Sequence, residues 1–209
     1  MLYTIAYLIL TPVFKLLYRL EVSGLEHARE DAPAIYAANH KSYLDPIIVG
    51  LSLYPRRLNF MAKAELWKIP VLGQVIGGLN AFPVNRQGFD RKAVVKALEI
   101  LRGGKSMLMF PEGTRIRRPG LGDGLRGVAA IALKANVRVI PVGIVGAGRV
   151  MPDGARIPRF PKIKIRFGRP IESADYESDQ EGLTRDVMVE IGRLTGCESL
   201  GVTPEEEMT

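Results

Sequence analysis

The chain reads AIYAANHKSYLDPIIVGLSL from residue 34 to residue 53, and this stretch decides the predicted fold. Its first five residues are apolar or small, which predicts a buried strand. The strand ends at two polar residues, Asn39 and His40. After them comes Pro46, which suits the first turn of a helix and precedes a run of apolar residues. The stretch therefore predicts a strand, a polar turn and a helix in that order.

The same alternation continues along the chain. Apolar and β-branched runs predict further strands over residues 58 to 62, 79 to 84, 106 to 110, 137 to 145 and 162 to 167. Helical periodicity predicts helices over residues 47 to 53, 91 to 101, 127 to 135 and 184 to 194. Strands that alternate with helices predict an α/β fold, a single domain with a mixed, largely parallel sheet flanked by helices.

The N-terminal segment predicts a helix that associates with a membrane. Residues 1 to 20 carry apolar side chains at helical spacing, while polar side chains gather largely on the other side. The apolar stretch stops before Lys15, short of the roughly 20 residues that a spanning helix needs. We expect a helix in the membrane interface, with Lys15 and Arg19 toward the headgroups. A helix packed on the protein's own core is the alternative, and both can hold in part.

Three segments are expected on this basis. They are a membrane-interface helix over residues 1 to 22, an α/β domain over residues 23 to 200 and an acidic flexible tail over residues 201 to 209. The single Cys197 excludes an internal disulfide and favours a protein that faces the cytosol. Together these features predict a peripheral or monotopic protein at the cytoplasmic face of the cell membrane.

Charge and composition restrict the partners. The 209 residues include 29 Lys and Arg against 22 Asp and Glu, a net charge of +7, which points to anionic partners. The basic residues are scattered and form no known nucleic-acid-binding motif, so nucleic acid is not expected as a partner. Two histidines and one cysteine without a ligand cluster make a metal site unexpected. Phosphorylated metabolites and acidic lipids remain as the expected classes of partner.

His40 and Asp45 are the first candidate catalytic residues. An imidazole titrates near neutral pH and a carboxylate can fix its tautomer, so such a pair can take a proton from an attacking hydroxyl. Five positions on a continuous helix rotate by about 140°, so the two side chains can meet only across a turn. The alternative is structural, because Ser42-x-x-Asp45 resembles a helix capping box and Asp45 could simply begin the helix. The two interpretations can coexist.

Polar residues also follow three other predicted strands. Residues 111 to 115, Pro-Glu-Gly-Thr-Arg, offer a carboxylate, a flexible glycine, a hydroxyl and a guanidinium that suits phosphate. Asn85 and Arg86 follow the strand over residues 79 to 84. Lys63, with Glu65 close by, follows another strand, and an exposed ion pair is the simpler interpretation of these two. Sites in open α/β sheets form at strand ends, so convergence of these loops predicts a shared site, although each loop alone could be a solvated turn.

Taken in order, these motifs resemble the 1-acylglycerol-3-phosphate (lysophosphatidic acid) acyltransferase family of glycerophospholipid acyltransferases. Four blocks carry the resemblance, namely residues 39 to 45 (NHKSYLD, His-x4-Asp), 82 to 86 (FPVNR), 110 to 115 (FPEGTR) and 139 to 142 (VIPV). Each block is weak by itself, but four in order at suitable intervals are specific. The resemblance extends over about residues 34 to 145. Asn85 and Arg126 depart mildly from the family pattern, away from the chemistry.

The resemblance implies an acyltransferase that forms phosphatidic acid from lysophosphatidic acid. His40 would deprotonate the free glycerol hydroxyl of the acceptor, Asp45 would orient His40, and the hydroxyl oxygen would attack an acyl thioester directly. The acceptor's glycerol phosphate would be held by Arg86, Glu112, Gly113, Thr114 and Arg115, with charge added by Lys63. Residues 139 to 142 would line the acyl-donor side.

The partners that the resemblance implies are a lysophospholipid acceptor, a membrane surface, and acyl-CoA or acyl-carrier protein as co-substrate. No cofactor and no metal are implied. Two alternatives stay open. The acceptor could be glycerol 3-phosphate or a glycosylated phospholipid, or the chain could be a non-catalytic peripheral membrane protein that binds anionic lipid through its charge and its N-terminal helix.

Overall fold

Seven strands form one sheet in the part of the chain that the structure describes. The computed structural model describes residues 2–28, 32–85, 88, 90–152, 154–155 and 157–197. The strands are β1 (Glu21–Ser23), β2 (Ala34–Ala38), β3 (Leu58–Lys63), β4 (Ala81–Val84), β5 (Ser106–Met109), β6 (Arg138–Val145) and β7 (Lys164–Phe167). Their order is β1-β7-β6-β2-β5-β3-β4, and all neighbouring pairs are parallel except β6 and β7. The predicted mixed, largely parallel sheet is confirmed.

Six α-helices accompany the strands within the described residues. They are α1 (Leu2–Leu17), α2 (Asp45–Ser52), α3 (Leu72–Gly78), α4 (Arg91–Arg102), α5 (Gly127–Ala135) and α6 (Gln180–Thr195). Aspartates cap two of them, because Asp90 accepts a hydrogen bond from the N–H of Ala93 in α4 and Asp179 accepts one from Gly182 in α6. These caps satisfy N–H groups that a helix leaves without a partner in its first turn.

Two apolar cores lie on opposite faces of the sheet, because successive side chains of a strand alternate between its faces. In β2, Tyr36 belongs to one core and Ile35 to the other, and both are fully buried. Helices α1 and α2 cover the first core, while α4, α5 and α6 cover the second. Strand β2 is thus buried on both sides, which explains its continuous apolar sequence.

The parallel strands bring several loops to one edge of the sheet. The carboxyl ends of β2, β3, β4, β5 and β6 all lie at this edge, since each of these strands is parallel to its neighbour within this set. The first block follows β2, Lys63 is the last residue of β3, and the third block follows β5. The topology alone therefore brings these candidates to the same side of the molecule.

Two elements were not predicted. Strand β1 is a three-residue strand with exposed side chains, too short to show alternation. Helix α3 contains three glycines in seven residues, which weakens any helical pattern. Because α3 occupies residues 72 to 78, the strand predicted from residue 79 begins instead at Ala81. Asn80 turns the chain between the two elements with a φ of 68°.

Helix α1 packs on the sheet with one side only. Phe14 is 3% exposed and lies in the first core, whereas Leu8 and Leu16 are 65% and 80% exposed. The predicted alternative of core packing therefore holds for one side of α1. No helix among the described residues is long and apolar enough to cross a bilayer. The division into segments 1 to 22, 23 to 200 and 201 to 209 stays a prediction, and the last segment lies outside the described residues.

Candidate active site

His40 lies directly beyond β2, at the carboxyl edge of the sheet. The preceding residue, Asn39, ties this turn to β6, because its side-chain amide donates to the carbonyl of Ile144 at 3.0 Å and accepts from the N–H of Ile144 at 2.7 Å. The His40 ring stacks on Phe110, with 3.9 Å between ring centres. His40 is 6% exposed. These contacts leave the imidazole little freedom to change its orientation.

The imidazole of His40 contacts the carboxylate of Asp45, with 2.9 Å between Nδ1 and Oδ2. Asp45 is fully buried. An ionised carboxylate only accepts hydrogen bonds, so with Asp45 ionised the contact suits the tautomer that carries its proton on Nδ1 and a lone pair on Nε2. A neutral imidazole of this tautomer can take a proton from a hydroxyl group, and the carboxylate stabilises the imidazolium that results.

A tight turn over residues 41 to 44 brings Asp45 back to His40. Asp45 is the first residue of α2, and its Oδ2 accepts hydrogen bonds from the backbone N–H groups of Lys41 and Ser42, both at 2.7 Å. The predicted capping box is not formed, because the N-cap residue of α2 is Leu44 and no side chain caps the helix; the bond from Ser42 closes the turn before it instead. The structural and the catalytic interpretations of Asp45 thus coexist, since the carboxylate that starts the helix is the one that contacts His40.

Glu112 connects the turn after β2 to the loop after β5. One of its carboxylate oxygens accepts from the N–H of His40 at 2.6 Å, and the other accepts from the N–H of Gly122 at 2.8 Å. The residue is 5% exposed. Because backbone N–H groups occupy both oxygens, Glu112 holds the backbone of His40 in place. Contact between Glu112 and a substrate, which the resemblance implies, stays a prediction.

The rest of the third block forms a tight loop beside His40. Gly113 has a φ of 68°, a left-handed conformation that favours glycine, and its N–H donates to the carbonyl of Phe110. The hydrogen bond from the N–H of Ile116 to the carbonyl of His40, at 2.8 Å, closes the loop against the first block. Thr114 is exposed within this loop. Thr114 and Arg115 therefore lie on a loop that is hydrogen-bonded to the backbone of His40.

Tyr43 is a residue of this site that the sequence analysis missed. The guanidinium carbon of Arg115 lies 3.4 Å from the centre of the Tyr43 ring, and 71% of Tyr43 is exposed. A guanidinium stacked on an aromatic face keeps its N–H groups available around its rim. An aromatic residue between His40 and Asp45 was visible in the sequence, but its partner in the third block was not. Tyr43 thus joins the first block to Arg115 of the third block.

The structure describes Lys63 but not Arg86. Lys63 ends β3 at the same edge of the sheet, and its Nζ lies 3.3 Å from a carboxylate oxygen of Glu65, with both side chains about half exposed. The simpler prediction, an exposed ion pair, is therefore present. Arg86 lies outside the described residues, so its expected phosphate contact stays a prediction.

The fourth block, residues 139 to 142, lies inside β6 and is buried. The carboxyl end of β6, from Ile144 onward, is the part of the strand that reaches the loops of the site. Among the described residues, no three His, Cys, Asp or Glu side chains lie close enough together to hold a metal ion. The role of the fourth block on the acyl-donor side stays a prediction.

An apolar cavity of about 90 Å³ begins beside Asp45. Pro46 and Ile47 of α2 form part of its wall, and Ala6 and Leu10 of α1 form another part. Residues from β3 and β5 complete the lining, and none of the lining residues is charged. The N-terminal helix thus covers an apolar space whose wall includes Pro46, the residue after Asp45.

Comparison with known proteins places the chain in a family. A family model described as Acyltransferase matches residues 19 to 145. This range covers more than half of the chain and includes all four blocks. The chain therefore belongs to the acyltransferase family.

Relatives of the chain include proteins named 1-acyl-sn-glycerol-3-phosphate acyltransferases. The chloroplast 1-acyl-sn-glycerol-3-phosphate acyltransferase LPAT1 of Arabidopsis thaliana is 32% identical over 163 residues, which are 75% of this chain and 45% of that protein. The 1-acyl-sn-glycerol-3-phosphate acyltransferase of Bacillus subtilis is 26% identical over 157 residues, 75% of this chain and 76% of that protein. The chain spans less than half the length of the plant relatives it matches.

A solved structure agrees with the sequence comparison. The crystal structure of the 1-acyl-sn-glycerophosphate (LPA) acyltransferase PlsC from Thermotoga maritima has a TM-score of 0.79 and 28% sequence identity. The match covers 91% of this chain and 77% of that protein. The resemblance to lysophosphatidic acid acyltransferases that the sequence motifs predicted is confirmed.

Proposed function

We propose that the protein transfers a fatty acyl group from an acyl thioester to the free glycerol hydroxyl of lysophosphatidic acid, which forms phosphatidic acid. The observation that carries the proposal is the 2.9 Å contact between His40 Nδ1 and Asp45 Oδ2 within the His-x4-Asp block. The relatives named above are acyltransferases for this acceptor. The reaction needs no cofactor and no metal, because the acyl thioester is already activated.

In the proposed mechanism, Nε2 of His40 takes the proton of the acceptor hydroxyl as its oxygen attacks the thioester carbonyl. The carbon–oxygen bond forms, the carbon–sulfur bond breaks, and the thiolate leaves with the proton that His40 returns. Asp45 stabilises the transient imidazolium, and Glu112 keeps the His40 backbone in register with the loop after β5. General-base help of this kind contributes roughly 10²- to 10⁴-fold to a rate.

The acceptor phosphate is proposed to bind at the loop after β5. Arg115 offers a forked guanidinium that can form two hydrogen bonds with a phosphate, and Thr114 offers a hydroxyl. Lys63 and Arg86 add positive charge in the same proposal. Binding of a phosphate at Lys63 requires its Nζ to turn from Glu65, an exposed ion pair whose contribution is small.

Replacing Tyr43 with Ala is expected to raise KM for the acceptor about two- to fivefold, because an exposed cation–π contact contributes about 0.5–1 kcal/mol. Without the ring, Arg115 is less well positioned for the phosphate. Tyr43→Phe keeps the stacking face and should restore the unaltered KM. Steady-state kinetics with varied lysophosphatidic acid measures the effect. A Tyr43→Phe variant as impaired as Tyr43→Ala would show that the hydroxyl, not the ring face, matters.

The apolar cavity, whose volume suits only a few methylene groups, is proposed as the entrance to the site of the fatty acyl chain. Its wall includes Pro46, immediately after Asp45, and it lies under α1, so a chain that enters from a lipid surface meets no charged lining residue. Burial of each methylene group stabilises a bound chain by about 0.8 kcal/mol. Its lining residues therefore set which chain lengths fit.

Replacing Ala6 with Phe is expected to shift the donor preference toward shorter acyl chains. The larger side chain fills part of the cavity. Each methylene group of a long donor that no longer fits into the cavity lowers kcat/KM by about fourfold. Palmitoyl and decanoyl thioesters, assayed side by side, measure the shift. Ala174→Phe is the matched control because Ala174 is exposed and lies away from the cavity. An unchanged chain-length preference would exclude this cavity as the acyl site.

Membrane association is proposed to occur through the exposed side of α1. Leu8, Ile9 and Leu16 are between 60% and 80% exposed, an unusual density of apolar surface for one helix. The opposite side of α1 covers the acyl cavity, so the helix links the bilayer to the site. The cytoplasmic face of the cell membrane is the proposed location.

Changing both Leu8 and Leu16 to Glu is expected to lower partition into anionic phospholipid vesicles by roughly 100-fold or more, since each buried leucine contributes about 1.5–3 kcal/mol. Sedimentation with vesicles of phosphatidylcholine and phosphatidylglycerol measures the partition. Val189→Glu changes an equally apolar residue, 51% exposed, on α6 at the other face of the sheet. If the control variant loses as much binding as the α1 variant, α1 is not the membrane contact.

The proposed reaction is tested with a panel of acceptors at matched concentration. Purified protein in detergent or vesicles receives acyl-CoA with lysophosphatidic acid, glycerol 3-phosphate or a glycosylated phospholipid, and mass spectrometry identifies the product. We expect phosphatidic acid from lysophosphatidic acid at the highest rate. A higher rate with another acceptor would reassign the acceptor, and absence of thioester turnover with all of them would favour a non-catalytic lipid-binding protein.

A further inference from the structure

A basic groove lies beside the candidate active site, on the side away from the apolar cavity. Its volume is about 620 Å³. The described lining residues include five cationic side chains and no Asp or Glu, and the five are Lys41, Arg115, Arg117, Arg118 and Arg149. We call this space the basic groove. Its charge makes it a site for a polyanion.

The basic groove lies beside the segment that carries His40. Asn39 and Lys41, the two neighbours of His40 in the chain, both line it. The apolar cavity begins at Pro46 instead, and the two spaces share no lining residue. Two separate spaces of opposite character, one apolar and one cationic, thus lie next to the first block.

Lys41 of the first block stabilises the wall of the basic groove. Nζ of Lys41 donates hydrogen bonds to the backbone carbonyls of Arg118 and Gly120. Partial burial lowers the pKa of the Lys41 ammonium, while the nearby Glu112 carboxylate acts in the opposite direction. Lys41 thus fixes the loop that carries three of the arginines, so the groove is already formed next to His40.

We propose that the basic groove binds the phosphorylated carrier portion of acyl-CoA, its nucleotide phosphates and pantetheine arm, while the acyl chain enters the apolar cavity. The inference rests on the proposed acyl transfer and assigns the donor's binding site. Small-molecule sites commonly have volumes of about 300–1,000 Å³, so this groove suits a nucleotide-sized ligand. Apolar lining residues such as Leu121, Ile144 and Met151 suit the uncharged part of the arm.

The charge of the groove favours the donor over the acceptor as its ligand. The acceptor carries one phosphate monoester, for which Arg115 at the mouth of the groove is available. CoA carries a diphosphate and a separate phosphate, which match the further arginines along the groove. A thioester that lies between the groove and the cavity would present its carbonyl carbon close to His40.

The test uses the full chain with Arg118→Gln, Arg149→Gln and the double variant. Arg102→Gln is the matched control, because Arg102 is exposed at the end of α4, at the opposite edge of the sheet. Binding of CoA alone is measured by titration calorimetry, without acceptor and without turnover. We expect Kd for CoA to rise about five- to tenfold for each single variant and further for the double variant, with no change for the control.

Kinetics with three donors completes the test. KM for palmitoyl-CoA should rise in parallel with Kd, while KM for lysophosphatidic acid and KM for palmitoyl-N-acetylcysteamine, a thioester without phosphate, stay unchanged. Unchanged CoA binding in the double variant, or a raised KM for lysophosphatidic acid alone, would overturn the proposal. An effect confined to palmitoyl-acyl-carrier protein would also overturn it, because the groove would then dock a protein. Failure of the proposed acyl transfer is distinguishable, since CoA binding is measured without turnover.

Discussion

Replacing His40 with Ala is expected to lower kcat roughly 10²- to 10⁴-fold, because the acceptor hydroxyl then has no positioned base. KM for both substrates should change little, since the imidazole acts mainly on the proton in the transition state. The measurement is the rate of phosphatidic acid formation at saturating acyl-CoA and lysophosphatidic acid, with circular dichroism to show that the variant is folded.

The chain contains its own control for this experiment. His27 is the other of the two histidines and is about one-third exposed in a short 3-10 helix, Leu25–His27. Its Nε2 lies 3.8 Å from Glu26 and not at the site. His27→Ala should keep the unaltered rate. Equal losses in the two variants would mean that loss of a histidine affects the protein in general and not the reaction.

Replacing Asp45 with Asn is expected to lower kcat by a similar factor, roughly 10²- to 10⁴-fold. The amide oxygen can still accept from the N–H groups of Lys41 and Ser42 and from Nδ1 of His40, so the turn is kept. The negative charge that stabilises the imidazolium is lost. The substitution therefore separates the charge of Asp45 from its structural role.

The thermal unfolding midpoint distinguishes these two roles. Oδ1 of Asp45 has no hydrogen-bond partner among the described residues, so an amide nitrogen at that position replaces no existing bond. Asp45→Asn places an amide N–H group without an acceptor at this buried position and should be less stable by about 1–3 kcal/mol. Asp45→Ala removes the acceptor of the Lys41 and Ser42 N–H groups and the partner of His40 Nδ1, and should lose more stability than the Asn variant. An Asn variant with full activity would restrict Asp45 to the structural role.

Local patterns explain why most of the fold could be predicted. The continuous apolar run of β2, the proline at the start of α2 and the helical periodicity of α5 each depend on residues close in sequence, and all three elements lie where these patterns place them. Strand β1 and helix α3 carry no such pattern. Strand β1 is formed by pairing with β7, which is distant in the chain, and α3 packs close to Trp67 through its glycines.

In the candidate site, too, contacts between residues close in sequence could be predicted and long-range contacts could not. The contact between His40 and Asp45 was predictable, because the two residues are five positions apart and a turn was required. The hydrogen bond from the His40 backbone to Glu112 joins residues 72 positions apart, and only the sheet brings them together. The Arg115–Tyr43 contact and the basic groove depend on the same long-range arrangement. Sequence motifs thus named the proposed reacting groups, while the structure shows which residues contact them.

The most direct test of the catalytic role is chemical rescue. His40→Gly removes the imidazole and leaves its space beside Phe110 open for a small molecule. We measure phosphatidic acid formation by this variant with and without added imidazole, at saturating donor and acceptor. We predict a rate lowered by roughly 10²- to 10⁴-fold that imidazole partly restores in a saturable manner. A His40→Gly protein that forms phosphatidic acid at the unaltered rate without imidazole would contradict the proposed base.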